Sequence, residues 1–254
     1  LTVALPALNG IPRNCGATLM EGDASLPELL TLYNRFAQRY NACFARKDDK
    51  YFPLDPYGTQ TYFYLWRNAS GEARGYFKAK PNGRTLDVPE LVYLDRESLL
   101  GLLGFLRMFE GQFDSVCFNR LEQGSPVELV IDCDRSTSFG AYDGAMGRVL
   151  DVSACLCRMR AESGETLTLR ITDEACPKNT GIYLLRFTDG ETTVEKRCDG
   201  DVDASLTINA FSLLALAGAS DAELDYVDGL TIYGKRALLA KLFARRPVNL
   251  FEEF

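Results

Sequence analysis

An α+β fold in two halves is what this sequence predicts, and three observations predict it. Short apolar runs recur between turn-forming residues, as in hairpin-linked strands. Among them lie a few stretches whose apolar residues return every three or four positions, as on amphipathic helices. After a polar, glycine-containing stretch, Asp132-Cys133-Asp134-Arg135-Ser136-Thr137-Ser138-Phe139-Gly140, the same mixture starts again. A chain of 254 residues suffices for two ordinary domains. The boundary is expected in that stretch, giving domains of 1–138 and 139–254.

Residues 1–12 read as a short apolar strand or arm ending at Pro12. Ser25-Leu26-Pro27-Glu28 fits a capping box, in which the serine hydroxyl caps the helix and the glutamate reaches back. Leu29, Tyr33, Phe36, Ala37 and Tyr40 then predict a helix over about 26–43. Residues 48–60, rich in Asp, Pro and Gly, read as loop. Three strands follow. Thr61–Trp66 is almost wholly apolar, as for burial on both faces. Ala73–Ala79 follows the turn Asn68-Ala69-Ser70-Gly71, and Leu86–Leu94 follows Pro81-Asn82-Gly83. Asp95 is placed to cap a helix with Leu99, Leu102, Leu103, Leu106 and Phe109 on one face. Ser115–Phe118 reads as a short strand and Pro126–Ile131 as an apolar segment of either type.

Beyond the boundary, Met146–Leu150 reads as a strand and Val152–Met159 as a helix. Thr166–Ile171 alternates, with Leu167, Leu169 and Ile171 on one face. Ile182–Thr188 and Thr192–Arg197 flank Asp189-Gly190, the signal of a tight hairpin. Ser205–Ile208 reads as a strand, and Asn209 as the cap of a short helix ending at Gly218. Ser220-Asp221-Ala222-Glu223 repeats the capping-box spacing, and Leu230–Tyr233 is short and extended. Leu238, Leu239, Leu242 and Phe243 mark a last helix. Lys241, Arg245 and Arg246 lie at its C-terminal end, where the dipole favours cations.

The formal net charge is −7. Nucleic-acid binding needs a clustered positive footprint, so it is not expected; a cationic partner such as an amine suits the charge better. No apolar run is long enough to span a bilayer, so no membrane role is expected. The start, Leu1-Thr2-Val3-Ala4-Leu5-Pro6, lacks a basic n-region and reads as a chain cut inside a longer one rather than as a signal peptide. There is no histidine. That removes Ser-His-Asp and Cys-His catalysis and all histidine metal sites, and leaves acid–base work to carboxylates, Tyr, Lys, Cys or the chain terminus. The eight cysteines show no CxxC spacing. They read as reduced, mostly buried thiols of a cytoplasmic protein, with a zinc site as the alternative and no metal expected.

The last stretch, Pro247-Val248-Asn249-Leu250-Phe251-Glu252-Glu253-Phe254, is unlike most chain ends, which are polar and frayed. Val248, Leu250, Phe251 and Phe254 give it reason to dock. A docked Phe254 would fix an aromatic ring and the only free α-carboxylate in the chain in one place, with the carboxylates of Glu252 and Glu253 just before it. Phe254 is therefore the candidate base. The alternative is a tail that covers a core edge. Asp87, Glu90, Asp114, Asp143, Asp151 and Asp173 carry no spacing that marks a dyad, and solvation or capping is expected of each. Tyr62, Tyr64, Trp66 and Tyr93 could face an amine through cation–π contact, but core packing is the expected role.

Several stretches together resemble the enhanced intracellular survival (Eis-type) acetyltransferases. They are Leu32-Tyr33-Asn34-Arg35-Phe36-Ala37, Gly75-Tyr76-Phe77, Val88-Pro89-Glu90-Leu91-Val92-Tyr93-Leu94, and Phe105-Leu106 leading to Gln112-Phe113-Asp114. Gly147-Arg148-Val149-Leu150-Asp151-Val152, Leu169-Arg170-Ile171-Thr172-Asp173 and the apolar tail complete the set, which covers nearly the whole chain. The resemblance implies a degenerate GNAT-like mixed sheet with helices, followed by a sterol-carrier-protein-like α+β domain. It implies a further N-terminal GNAT domain that binds acetyl-CoA and would lie outside this chain. It also implies acetyl transfer to amines of aminoglycoside or lysine type, and hexamers. In that family the terminal carboxylate is the general base and the preceding glutamate lines the substrate pocket, roles that fall by position on Phe254 and Glu253; Glu252, next to them, is a further substrate-binding candidate.

The departures concern the cofactor. GNAT domains hold the CoA pyrophosphate on backbone N–H groups of a Gln/Arg-x-x-Gly-x-Gly/Ala loop at a helix start. Neither Arg74-Gly75 nor Gly101–Gly104 is such a loop, so this chain alone is expected to bind no acetyl-CoA. Phe109-Glu110-Gly111 also stands where a histidine-containing run is expected. Two other readings stay open. The second half could hold an apolar ligand, as sterol-carrier domains do, or the chain could serve as a non-catalytic oligomer scaffold.

Overall fold

The computed structural model describes residues 1–20, 26–52, 60–122, 124–133, 135, 137–141 and 146–251. The chain forms two compact units. The first takes Leu1–Gly144 and, from the far end, the stretch from Pro247 on; the second is Ala145–Arg246. The expected boundary is at 138, with the tail in the second domain; the first unit instead runs to Gly144 and takes the tail. The tail goes to the first unit because Phe251 finds its aromatic partners, Tyr33 and Phe36, there.

Six strands form the first unit's sheet: β1 (Thr2–Ala4), β2 (Ala17–Met20), β3 (Tyr62–Arg67), β4 (Ala73–Asn82), β5 (Thr85–Tyr93) and β6 (Ser115–Phe118). Their order is β1-β6-β5-β4-β3-β2. Only β5 and β6 are parallel. Their pairing stops at Val88↔Phe118, where Pro89 follows and has no N–H to give. From Glu90 to Tyr93, β5 pairs with β4 alone, so the two parallel strands part.

Helices cover both faces of this sheet. On one side, α1 (Leu26–Ala37) buries Leu29, Leu32, Tyr33 and Phe36, residues at helical spacing. On the other, α2 (Arg96–Leu106) buries Leu99, Leu102, Leu103 and Leu106. It can lie close because glycines face it. A Cβ on Gly75 would come within 2.7 Å of the Val92 carbonyl and 2.9 Å of Leu102 Cδ1. A Cβ on Gly101 would meet the Trp66 indole at 2.3 Å. The apolar segment of either type becomes a short helix, α3 (Pro126–Val130), capped by Ser125. Helix α1 ends at Ala37 rather than near 43: tight turns follow, with the Arg39 N–H donating to the Phe36 carbonyl and the Tyr40 N–H to the Ala37 carbonyl, and Asn41 then meets the tail. The expected cap of α1, Ser25, lies outside the described residues. Strand β2 was not expected; it is short, and its partner β3 supplies its ladder.

The second unit has a five-stranded sheet of β7 (Thr166–Thr172), β8 (Gly181–Thr188), β9 (Glu191–Arg197), β10 (Ala204–Thr207) and β11 (Leu230–Ile232). The order is β11-β10-β7-β8-β9, with β7 and β10 parallel. Asp189 and Gly190 both take positive φ, as the hairpin between β8 and β9 requires. The helices are α4 (Val152–Leu156), α5 (Ile208–Leu216) and α6 (Arg236–Leu242). Their apolar sides and the alternating Leu167, Leu169 and Ile171 close the core, all three with no exposed surface.

Several local expectations are corrected. Thr207, not Asn209, caps α5, its Oγ1 accepting from the Ala210 N–H at 3.2 Å. Met146–Leu150 forms no ladder; the Val149 N–H donates to Ser212 Oγ at 3.0 Å instead. All eight cysteines are free thiols, but none is buried: Cys15, Cys133, Cys157 and Cys198 are exposed and the rest half-buried. The exposed four sit in connections or at element ends, where side chains meet water. No helix among the described residues is long and apolar enough to cross a membrane.

Candidate functional site

The tail enters the first unit beside the turn that ends α1. The Asn41 N–H donates to the Pro247 carbonyl at 2.9 Å, and the Asn249 N–H donates to the Asn41 carbonyl at 3.4 Å. Asn41 and Val248 thus form a parallel bridge. The Phe251 ring lies 6.1 Å from the centroid of Tyr33 and 6.0 Å from that of Phe36, and is 8% exposed. Burying such a ring contributes about 1.5–3 kcal/mol, enough to hold a chain end that would otherwise fray. Arg120 donates from Nη1 to the Phe251 carbonyl. Phe254, Glu253 and Glu252, the candidate base and pocket residues, lie outside the described residues.

Around this seat the side chains are aromatic and polar. Phe36 also packs on Tyr40 at 4.8 Å and edge-on to Tyr93 at 5.6 Å. The Tyr40 hydroxyl donates to Glu122 Oε1 at 2.9 Å. Burial pushes the Tyr40 hydroxyl well above the usual phenol range, and the Glu122 charge adds to the effect. Arg39 donates to the carbonyls of Tyr93 and Leu94, on the stretch of β5 and beyond that β6 leaves unpaired. The Tyr93 hydroxyl is buried beside those of Ser125 and Tyr40, and burial raises it above the usual phenol range.

One aromatic partner of the tail is braced from below. The Arg46 guanidinium lies 3.7 Å from the Tyr33 ring centroid and forms two hydrogen bonds of 2.8 Å with Glu90. The Tyr76 hydroxyl donates to the same carboxylate. Glu90 was expected to be solvated or to cap a helix, and it does neither. Its neighbours gave the signal: a charge inside Val88-Pro89-Glu90-Leu91-Val92-Tyr93 must be paired if that run is buried on both faces. Asp173 departs from that expectation too. It is 2% exposed and accepts from Asn179 Nδ2 and the Cys176 N–H, each at 2.9 Å, and from Arg148. Asp114 pairs with Arg84 at the surface, Asp151 caps α4, and Asp143 lies outside the described residues. Of the aromatic set, Trp66 and Tyr93 are buried, while Tyr62 and Tyr64 pack part-buried against the core.

Neither Arg120 nor Asn41 was singled out from the sequence. Each acts on residues more than 100 positions away, and nothing local to Asn119-Arg120-Leu121 marks that contact.

The start of α2 is where a nucleotide cofactor's phosphates could rest on backbone N–H groups. Here a side chain already caps the helix start. Asp95 Oδ1 accepts from the Ser98 N–H at 2.8 Å, and Ser98 Oγ accepts from the Leu94 and Asp95 N–H groups at 3.1 Å. Arg74 holds the other carboxylate oxygen. A carboxylate therefore fills the anion position, and no glycine in Val92-Tyr93-Leu94-Asp95 lets a pyrophosphate approach. This helix start does not fit the CoA pyrophosphate. Among the described residues, no cluster of three metal-ligating side chains occurs.

A six-stranded mixed sheet with parting parallel strands and helices on both faces, followed by a second mixed sheet with its own helices, defines a GNAT-type domain joined to a sterol-carrier-type domain. The comparisons agree. Residues 34–149 match the acetyltransferase (GNAT) domain family, and residues 152–250 match the sterol carrier protein domain family. Among solved structures, a conserved protein of Enterococcus faecalis V583 described as a probable N-acyltransferase has a TM-score of 0.83 at 18% identity. A GCN5-related N-acetyltransferase from Anabaena variabilis ATCC 29413 has a TM-score of 0.77 at 18% identity. For both, the match covers 100% of this chain and 66% of theirs. Eis1 from Mycobacterium abscessus has a TM-score of 0.71 at 18% identity, over 98% of this chain and 66% of that one. At that identity the likeness concerns the fold, and this chain spans about two thirds of the length of each relative. No functionally curated protein matches.

Proposed function

We propose that this chain is the C-terminal portion of an Eis-like N-acetyltransferase that moves acetyl from acetyl-CoA to amines of aminoglycoside or lysine type. In this reading the chain supplies the Phe254 carboxylate as general base and a substrate wall that includes Glu253 and Glu252. The observation that carries it is the docking of Pro247–Phe251 against Asn41, Phe36, Tyr33 and Arg120, which anchors the chain close to its last carboxylate. An attacking ammonium must lose a proton before it can act as a nucleophile, and a positioned carboxylate can take it directly or through water. The self-capped start of α2 is consistent with a CoA site carried by an N-terminal domain outside this chain. The negative net charge favours approach of polycationic amines. The eight free thiols fit a reducing, cytoplasmic setting. Assembly as a hexamer belongs to the same reading and is checked by sedimentation of the full gene product.

The test is acetyl transfer to an aminoglycoside and to a lysine peptide by the full gene product, with and without Phe254. Deletion of this residue is expected to lower kcat by about 100-fold or more, the usual contribution of a general base. Unchanged kcat on every acceptor would remove the carboxylate from the mechanism.

A further inference from the structure

We infer that the second unit carries a binding site for a small apolar amino acid, in a cleft between its sheet and the strap that crosses it. The inference does not depend on the assignment of the base. It starts from topology. Strands β9 and β10 run in the same direction, with β8 and β7 between them. Residues 198–203 connect them and have to cross both. Leu167, Leu169 and Ile171 hold the core face, so the strap crosses the other. Six residues reach at most about 20 Å, and three strand spacings take about 14 Å, so the strap runs close over the sheet. Ile182 and Leu184 pair with Arg170 and Thr168 and so share the face away from the core. On a bare face they would be wet, yet they are only 4% and 8% exposed.

Where β7 ends and β8 begins, a cleft of about 380 Å³ lies beside the strap, lined among others by Arg170, Ile182, Cys198 and Asp199. That volume suits a small molecule. Arg170 is exposed and makes no hydrogen bond or salt bridge among the described residues. Asp199 makes none either; its charge acts on Arg197, which Glu195 already holds through hydrogen bonds of 2.9 and 3.2 Å. Arg170 and Asp199 thus bring opposite charges to one cleft without meeting. A lone anion would gain Arg170 and be opposed by Asp199, and a lone cation the reverse. A molecule with both charges a few ångströms apart satisfies both. Its carboxylate suits the planar guanidinium fork, its ammonium suits Asp199, and Ile182 gives an apolar floor for a side chain. A free amino acid joins these three groups on one carbon.

Cys198 is an exposed thiol in the same cleft and reports its occupancy. The experiment follows alkylation of the full gene product by iodoacetamide, read peptide by peptide, with L-leucine as the probe. Cys15, Cys133 and Cys157, also exposed, are the internal controls. At ten times its Kd, L-leucine is expected to slow alkylation of Cys198 by about 10-fold, the fraction of sites left empty by mass action, and to leave the controls unchanged. Isocaproate lacks the amine and isopentylamine lacks the carboxylate, and each is expected to bind at least about 10-fold more weakly, the worth of one charged hydrogen bond. Arg170→Met and Asp199→Asn lie at exposed positions, and each is expected to raise the Kd for L-leucine by a similar factor. Failure of L-leucine at millimolar concentration to protect Cys198 overturns the proposal. So does protection that isocaproate gives equally well, or that both variants retain in full.

Discussion

Arg46 and Glu90 meet inside the first unit through two parallel hydrogen bonds of 2.8 Å, with side-chain exposures of only 4% and 6%. Tyr76 donates to the carboxylate, and the rings of Tyr33 and Phe52 lie 3.7 and 5.1 Å from the guanidinium. Glu90 holds the Arg46 guanidinium through both of these bonds, so removing it breaks a charge-assisted pair in a buried place. Glu90→Ala is expected to destabilise the protein by about 3–5 kcal/mol in urea unfolding. The double change Arg46→Met with Glu90→Leu should recover most of that loss, because an apolar pair of similar size can replace a buried ion pair at little cost. A double variant no better than Glu90→Ala would mean that the site requires charge.

Gly101 and Trp66 give a second test. The Trp66 indole lies where a Gly101 side chain would be, and its Nε1 donates to Asn14 Oδ1 at 3.0 Å. Gly101→Ala is expected to cost about 1–3 kcal/mol through overpacking. Trp66 is the only tryptophan in the chain, so its emission reports the displacement directly. A red-shifted, quenchable emission is expected, and an unchanged spectrum would count against the close approach.

The cap of α2 predicts a pH dependence. Burial works against ionisation of Asp95, but Arg74 and the Ser98 donors outweigh it and bring its carboxyl down to about 2. A carboxyl with a lowered folded value contributes stability that is complete once the unfolded group is ionised, above about pH 4. That contribution fades as pH falls from there towards 2. Asp95→Asn keeps a capping side chain and loses the charge pair with Arg74. Its stability deficit should be greatest above pH 4 and vanish towards pH 2, as measured by urea midpoints across that range. A deficit independent of pH would refute the assignment.

In the second unit, Asn179 ties three segments together. Its Nδ2 donates to Asp173 Oδ2 at 2.9 Å and to the Leu150 carbonyl at 3.3 Å, and its own carbonyl accepts from the Tyr183 hydroxyl at 2.7 Å. Asn179→Ala would leave Asp173 short of a partner in a buried position, at a cost of about 1–3 kcal/mol. Asn179→Asp sets two carboxylates together and should be worse at neutral pH than at pH 4. Thermal unfolding at the two pH values checks the order.

The elements were legible in the sequence where a local rule governs them. Ser115–Phe118, the Asp189-Gly190 hairpin, the Asp95 cap and the Ser220/Glu223 box follow from residues a few positions apart. What the sequence did not reveal is long-range. β2 exists because β3 offers it a ladder, and Met146–Leu150 fails as a strand because a serine side chain takes its N–H. The docking of the tail was legible in Phe251, but Val248 stays exposed, and the seat itself was not legible. Asn41 and Arg120 are ordinary in their own neighbourhoods and meet the tail only when residues more than 100 positions away arrive.

The seat of Phe251 also sets an order of events during synthesis. Its aromatic partners, Tyr33 and Phe36, leave the ribosome early, and the ring that covers them is made after the whole second unit. At about 5–20 residues per second, that gap of roughly 200 residues lasts some 10–40 s. For that time the nascent first unit carries an uncovered aromatic surface, which a chaperone could occupy. A message cut short before Phe251 leaves Tyr33 and Phe36 without the ring that packs on them.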